Sequence, residues 1–506
     1  MANSAVSASH PIQDSDRLDG TEIVVVGSGF GGLSTACYLA QAGADVTVLE
    51  KNEQFGGRAS TFKRDGFQFD MGPSWYLMPD VFERFFGHFG KSASDYYDLT
   101  HLDPHYRVFW KDGDRVDVSP NLDHNKRTFD AYEANAGATL ENYLEEAATN
   151  YSIAMDQFVY EDRSSWRDFL DFDLIRYARG LSLLGSMQDH VERYFSDPKL
   201  QQLMQYSLVF LGGAPRKTPA LYNLMSHVDF NLGVHYPTGG ISSVVDGLVE
   251  LGREQGVTFV ADAAVTEIAP SNGFSIKTED GRAFRGDRVV SNADYAHTEL
   301  NLLTETNRQY DREYWESRTL APSAFLLYLG IEGAVDPLAH HTLVLPTDWS
   351  AHFDEIFETP QWPTDPSYYI CAPSQTDTTV APEGDSSLFV LVPIAAGLAD
   401  GPERRQRFRD KILADIARST GVELRDRIVV ERSFCVEEFA DRFNSYQGTA
   451  LGLAHTLRQT SLLRPRRRSR ACEGLYFTGS YTTPGIGMPM CLISGQHTAQ
   501  AVANGQ

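Results

Sequence analysis

Along the chain, the spacing of apolar positions changes in ways that map elements before any residue is given a role. Ile23 to Val26 is an unbroken run of β-branched residues, the pattern of a buried strand. Residues 33–42 carry small and apolar side chains at helical spacing, with Ala36 and Ala40 small enough for close packing, and Val46 to Leu49 returns to a strand. FQFDMGPSWY, from Phe67 to Tyr76, reads as strand-like. Phe82, Phe85, Phe86 and Phe89 recur at i, i+3, i+4 and i+7, one helical stripe that reads as core, with a substrate tunnel or a membrane surface as alternatives. From about 81 to 235, helical patterns mix with aromatic clusters. YPTGGISSVVDGLVELGREQGVTFV then gives a glycine turn, a helix and a strand, and VVSNAD at 289–294 is a further apolar strand. Short runs such as AFLLYLGI and SLFVLVPI between about 300 and 465 are material for a second sheet. The C-terminal GLYFTGSYTTPGIGMPMCLISGQHTAQAVA is strand, Gly/Pro turn and helix once more.

The first strand, helix and second strand enclose glycines at Gly27, Gly29 and Gly32, the full G-x-G-x-x-G spacing. Gly27 permits the tight turn, Gly29 lets a pyrophosphate approach bare backbone, and Gly32 lets the helix pack on the strand. Phosphates belong at the helix N-terminus, where unpaired N–H groups and the dipole favour negative charge. Glu50 closes the second strand, placed to accept hydrogen bonds from ribose hydroxyls. Gly56, Gly57 and Arg58 follow, a turn where backbone approaches a cofactor and Arg58 is available to a phosphate; alone, the same residues also read as a surface turn with a solvated arginine. Asp70 and Asp294 end strands near these motifs and read as buried, hydrogen-bonded acids that hold loops.

Composition narrows the reading. A chain of 506 residues exceeds the usual size of one core, so two domains are expected. Residues 1–19 are polar and small and read as a disordered tail, not a signal peptide. No stretch approaches the ~20 apolar residues of a spanning helix. The cysteines at 37, 371, 435, 472 and 491 are dispersed, with no metal-ligand spacing, so no metal centre is expected and a reducing compartment is; Cys37, on the first helix, reads as a small buried hydrophobe. Acids outnumber bases 68 to 44, giving a net charge of −24. That excess argues against a nucleic-acid partner. With only nine of the bases being lysine, it suits a halophilic cytoplasm, where salt screens self-repulsion. Arg464, Arg466, Arg467, Arg468 and Arg470 form one basic run, read as a solvated loop or a contact with an anionic membrane surface.

These segments together resemble the flavin-dependent carotenoid desaturases of the phytoene desaturase family. The likeness rests on VVVGSGFGGLSTACYLAQAGADVTVLEKNEQFGGRAS, FDMGPSWY, YPTGGI, VVSNAD and YFTGSYTTPGIGMPMCLISGQHTA, and spans nearly the whole chain. With the acidic composition, it is nearest to haloarchaeal members of that family. The resemblance implies an α/β fold: a discontinuous Rossmann-type FAD-binding domain over 20–105, 236–300 and 466–506, with an inserted mixed α+β substrate and membrane-facing domain over 106–235 and 301–465. It implies that Gly27, Gly29, Gly32, Glu50, Gly56, Gly57 and Arg58 hold the adenosine and diphosphate. Gly479, Pro484, Gly485, Gly487 and Pro489 would lie near the ribityl chain and flavin. The family commonly has histidine before the proline of the last motif, where this chain has Thr483.

The implied partner is a long apolar carotenoid, taken up by a cytoplasmic enzyme at the inner face of the cell membrane. The first expectation is 3,4-desaturation of a lycopene-derived intermediate on the route to bacterioruberin; the alternative is conversion of phytoene to lycopene. An amine oxidase and a non-enzymatic prenyl-lipid carrier are the more distant readings. Neither a catalytic side chain nor an electron acceptor is named by these residues.

Overall fold

A computed structural model describes residues 11–13, 16–161, 185–209, 212–456 and 458–505. Parts of the expected tail (1–10, 14 and 15) and of the expected substrate domain (162–184, 210, 211 and 457) lie outside them.

The first strand, β1 (Glu22–Val26), leads through the glycine turn into α1 (Phe30–Gln41) and back along β2 (Asp45–Leu49). β1 pairs in parallel with β2 on one side, Val24 opposite Thr47, and with Arg288–Ser291 on the other, Val24 opposite Val289. Thr258–Val260 extends the sheet beyond β2, and Leu475–Phe477 extends it beyond Arg288–Ser291, giving five parallel strands. Strands buried on both faces need no alternation, which is why Ile23, Val24, Val25 and Val26 are all buried. α1 packs on the C-terminal helix Met488–Ala503. Their approach depends on small residues: a Cβ on Gly495 would stand 2.5 Å from the Ser34 hydroxyl. Cys37 is buried against this core, and burial pushes its thiol well above the usual range.

The second sheet has seven strands, in the order Ile428–Phe434, Ser323–Ile331, Ser386–Ile394, Tyr368–Cys371, His341–Leu345, Tyr106–Trp110, Arg115–Val118. All neighbours are antiparallel except His341–Leu345 with Tyr106–Trp110. Its second and third strands are the apolar runs read as sheet material, and every residue of Ser323–Ile331 is buried. The pair Tyr106–Trp110 and Arg115–Val118 lies in the stretch expected to be helical and aromatic; its alternation around an Asp112–Gly113 turn is a hairpin signal that the surrounding helical pattern obscured.

Two further expectations change and another is met. The FQFDMGPSWY strand stops at Asp70, paired with Thr61–Arg64, because Gly72 and Pro73 break the ladder. The phenylalanine stripe is core, as read: on the helix Pro79–Gly87, Phe82 is buried against Tyr76 and Phe30, Phe85 against Tyr38, and Phe86 against Tyr96 and Tyr97, while Phe89, just past the helix, is half-buried against Tyr38. Within residues 1–19, Ile12 and Leu18 are buried in the same cluster, and the Leu18 amide donates to the Ala42 carbonyl at 2.9 Å.

Candidate active site

A cavity of about 880 Å³ opens where the parallel strands end, lined by Val26, Leu49, Asn292 and Thr478 just at or past their C-terminal residues. Gly27, Gly29, Glu50, Gly56, Gly57, Arg58, Pro484, Gly487 and Pro489 also face it, whereas Gly32, Gly479 and Gly485 stand behind its wall.

Glu50 is buried and fully engaged. One carboxylate oxygen accepts the Ser28 amide at 2.9 Å and the Ser28 hydroxyl at 2.6 Å; the other accepts the Asn52 amide at 3.0 Å and its side-chain NH₂ at 2.9 Å. A carboxylate has about four acceptor positions, so a ribose hydroxyl arriving here replaces one of these contacts. The Gly56 amide donates to the Ser28 carbonyl at 3.0 Å, tying the second glycine turn to the first. Gly56 and Gly57 have φ of 103° and 58°, a left-handed turn that other residues resist. Arg58 donates one guanidinium nitrogen to Ser445 Oγ at 2.8 Å, while its buried Nε has no partner among the described residues.

Asn292 carries a role the sequence reading did not give it. Its side-chain amide donates to the Thr478 carbonyl at 3.2 Å, and a Cβ on Gly29, Gly31 or Gly479 would come within 2.7, 2.9 or 2.6 Å of that amide. Gly32 would meet the Gly27 carbonyl at 2.2 Å. The missing side chains therefore make room for a neighbouring amide as well as for a ligand. The available signal was position, since residues just past parallel strands face the ligand crevice. Asp294, two residues on, accepts the Tyr481 hydroxyl at 2.6 Å and the amides of His297 and Tyr446 at 3.0 and 3.2 Å, so it holds three loops together. Asp70 accepts the Ile241 amide at 3.0 Å at the start of the helix Ile241–Glu254, and burial pushes its carboxyl up to about 7.

The C-terminal turn is braced by His455. Its Nε2 accepts the Ile486 amide at 3.2 Å, which leaves Nδ1 to carry the proton toward the Tyr222 hydroxyl at 2.7 Å. Burial and the nearby Arg464 hold this imidazole neutral, well below its usual range. Arg464 is itself buried, donating to the carbonyls of Gln459 at 3.1 Å, Ser480 at 2.5 Å and Tyr481 at 3.2 Å. Arg467 is also buried and donates to Thr483 Oγ1 at 3.0 Å. The basic run is thus neither a solvated loop nor a membrane patch throughout: Arg466 and Arg470 are exposed, while Arg464 and Arg467 bolt the turn in place. Charge composition could not separate the two kinds.

Away from the glycine turns the walls become apolar, with Met155, Val159, Leu221, Leu224 and Met225 on one side and Ala324, Leu326 and Leu391 of the seven-stranded sheet on another. One ligand atom from each of the buried His340, His341 and Cys371 lies within 4.8 Å of the others, a grouping hidden in the sequence by the separation of the two strands.

Residues 30–503 match the model of the flavin containing amine oxidoreductases. A carotenoid 3,4-desaturase of Haloarcula japonica is 64% identical over 96% of this chain and 98% of its own length. The chain belongs to the flavin-containing amine oxidoreductases, in their carotenoid desaturase branch. A zeta-carotene-forming phytoene desaturase of Myxococcus xanthus, a member of that branch, is 34% identical over 95% of this chain and 94% of its own. The crystal structure of a putative protoporphyrinogen oxidase from Exiguobacterium shares the fold, with a TM-score of 0.61 and 14% identity over 97% of this chain and 100% of that one. A desaturase of this branch is a flavin-dependent oxidoreductase, and the cavity fits such a group: Gly57 comes close to Gly29, the buried Nε of Arg58 has no partner among the described residues, and Phe30 and Gly31 at the start of α1 line the wall, which leaves backbone room and donors for an anionic group.

Proposed function

We propose that the protein is an FAD-dependent carotenoid 3,4-desaturase acting on a lycopene-derived intermediate on the route to bacterioruberin. The observation that carries this reading is the continuity of one cavity from the phosphate loop into aliphatic walls. Such a cavity takes a long hydrocarbon. The choice of bond is supported by the Haloarcula relative, far nearer in sequence than the phytoene desaturase.

Desaturation removes a hydride from one carbon and a proton from its neighbour. Bound FAD supplies the hydride acceptor, which no side chain can. The chain's own residues do the rest of the placing. Gly27, Gly29, Glu50, Gly56, Gly57 and Arg58 hold the adenosine and diphosphate, and Gly32 serves them from behind by letting α1 pack close on the Gly27 turn. Gly479, Pro484, Gly485, Gly487 and Pro489 shape the turn beside the ribityl chain and ring, with His455 and Arg464 fixing that turn from behind. The aliphatic walls exclude water from the polyene and align it.

Substrate enters from a bilayer in this reading. No described helix is long and apolar enough to cross one, but Leu462 and Leu463 are 38% and 57% exposed beside Thr460 and Ser461, which line the cavity. Two exposed leucines at a cavity mouth suit shallow contact with the inner face of a cell membrane. The net charge of −24 fits a cytoplasm rich in salt.

Expression in one strain that makes phytoene and in another that makes hydroxylated lycopene derivatives tests the reading by pigment chromatography. The expected result is a longer chromophore only in the second strain. Red lycopene in the first overturns the assignment in favour of phytoene desaturation.

A further inference from the structure

Tyr369 stands in a cross-strand row with Leu391 and Leu326, and all three face the cavity. In this otherwise aliphatic row its hydroxyl is the odd group. It lies 2.9 Å from the hydroxyl of Ser74, also on the cavity wall, and 2.7 Å from Nδ1 of His341. Trp75 stacks on the His341 ring at 4.1 Å with the planes 8° apart, fixing its orientation. All three members of the chain are buried, and His341 Nε2 has no hydrogen-bond partner among the described residues. The Cys371 thiol, a weak partner, lies against both hydroxyls.

The proton count of this chain has two solutions. With the imidazole proton on Nδ1, His341 donates to Tyr369, Tyr369 donates to Ser74, and the Ser74 proton is left for the cavity. With the proton on Nε2, Ser74 donates to Tyr369 and Tyr369 to His341, and Ser74 presents lone pairs instead. The array can thus donate or accept, the match for a hydroxyl group, which does both. It does not suit an ion, since burial and the neighbouring His340 and His105 keep His341 neutral. It does not suit a proton acceptor for the same reason, because the imidazolium would be buried without a counter-charge.

We propose that Ser74, Tyr369 and His341 form a specificity subsite that holds a hydroxyl group near one end of an otherwise apolar polyene. The subsite deepens the carotenoid desaturase reading and rests on it for the identity of the polyene. Holding the oxygenated end on the seven-stranded sheet sets which carbon pair of the chain lies beside the cofactor loop. The three residues act by positioning and selecting.

The test uses purified holoenzyme with two ligands in liposomes, a hydroxylated lycopene derivative and lycopene itself, read by kcat/KM and by quenching of protein fluorescence for Kd. Flavin content per chain reports folding of each variant. The wild type should favour the alcohol by tenfold or more. Tyr369→Phe and Ser74→Ala should each weaken the alcohol about tenfold in Kd and kcat/KM while lycopene stays within about twofold, and Ser74→Thr, which keeps the hydroxyl, should behave as wild type. Equal losses on both ligands, or no preference in the wild type, overturn the subsite. If the wild type binds both polyenes but oxidises neither, the desaturase reading fails while selective loss of alcohol binding still upholds the subsite. If it binds neither, both fall.

Discussion

A Cβ on Gly29 would lie 2.7 Å from Oδ1 of Asn292. The glycine usually explained by a phosphate is therefore also required by a side chain of the protein, and the two requirements can be separated by mutation. Gly29→Ala should purify with little flavin, judged by absorbance of the bound ring against protein. Adding Asn292→Ala removes the clash and should restore at least half of the lost occupancy relative to Asn292→Ala alone. A double variant as empty as Gly29→Ala would place the conflict on the ligand side.

Arg464 and Arg466 belong to one basic run but to different environments. Arg464→Gln leaves the carbonyls of Gln459, Ser480 and Tyr481 without their donor in a buried turn, at a cost of about 1 to 3 kcal/mol for each group left unpaired. Arg466→Gln, at an exposed side chain, should stay within about 0.5 kcal/mol of wild type. Denaturant unfolding of the two variants measures the difference.

Acid should weaken the contact between residues 99–105 and 235–237. His101 Nε2 and His105 Nε2 lie 3.1 Å apart, and His235 stacks on His101 at 4.7 Å. Burial drops His105 and His235 to about 4, below their unfolded value near 6.5. Between those values the unfolded chain binds more protons, so their contribution is complete above pH 6.5 and is lost as pH falls toward 4. Asp70, Asp229 and Glu299, each raised to about 7 by burial, act in the opposite sense over the same range. The histidine share is isolated by comparison: a His105→Asn, His235→Asn variant should lose stability less steeply on acidification, by up to about 1.4 kcal/mol per pH unit for each histidine removed. Thermal unfolding from pH 7 to 4.5 provides the measurement, and equal slopes would refute the assignment.

Salt should stabilise the fold. Raising ionic strength from 0.1 to 1 M shortens the screening length from about 10 to about 3 Å, which relieves repulsion among the excess acids of a chain with net charge −24. The melting temperature should climb through this range and continue into molar potassium chloride. A melting temperature that falls would count against adaptation to a saline cytoplasm.

Much of the nucleotide half was legible because its signals are local. β-branched runs, a glycine turn and small helical residues define β1, α1 and β2 without reference to the rest of the chain. The same patterns at VVSNAD and LYF mark two more strands of the parallel sheet, though not their order. What stayed hidden depends on distant neighbours. Asn292 looks like any polar residue after a strand until Gly29, Gly31 and Gly479 close around it. Arg464 reads as solvated until the carbonyls of Leu453, Gln459, Ser480 and Tyr481 close around it. Ser74, Tyr369 and His341 lie on three separate segments: the antiparallel register of the second sheet sets His341 near Tyr369, and Ser74 meets them from the loop after Asp70.

The strand order of the parallel sheet also governs how the enzyme is made. Arg288–Ser291 lies between β1 and Leu475–Phe477, so its outer edge has no partner until the ribosome has delivered residues 475–477. At about 5 to 20 residues per second, that edge waits for tens of seconds with its backbone groups open to pairing with other chains. Cofactor loading is on this account an event that follows synthesis of Leu475–Phe477. A transcript cut short before the last strand would yield an aggregating fragment in place of a weakened enzyme.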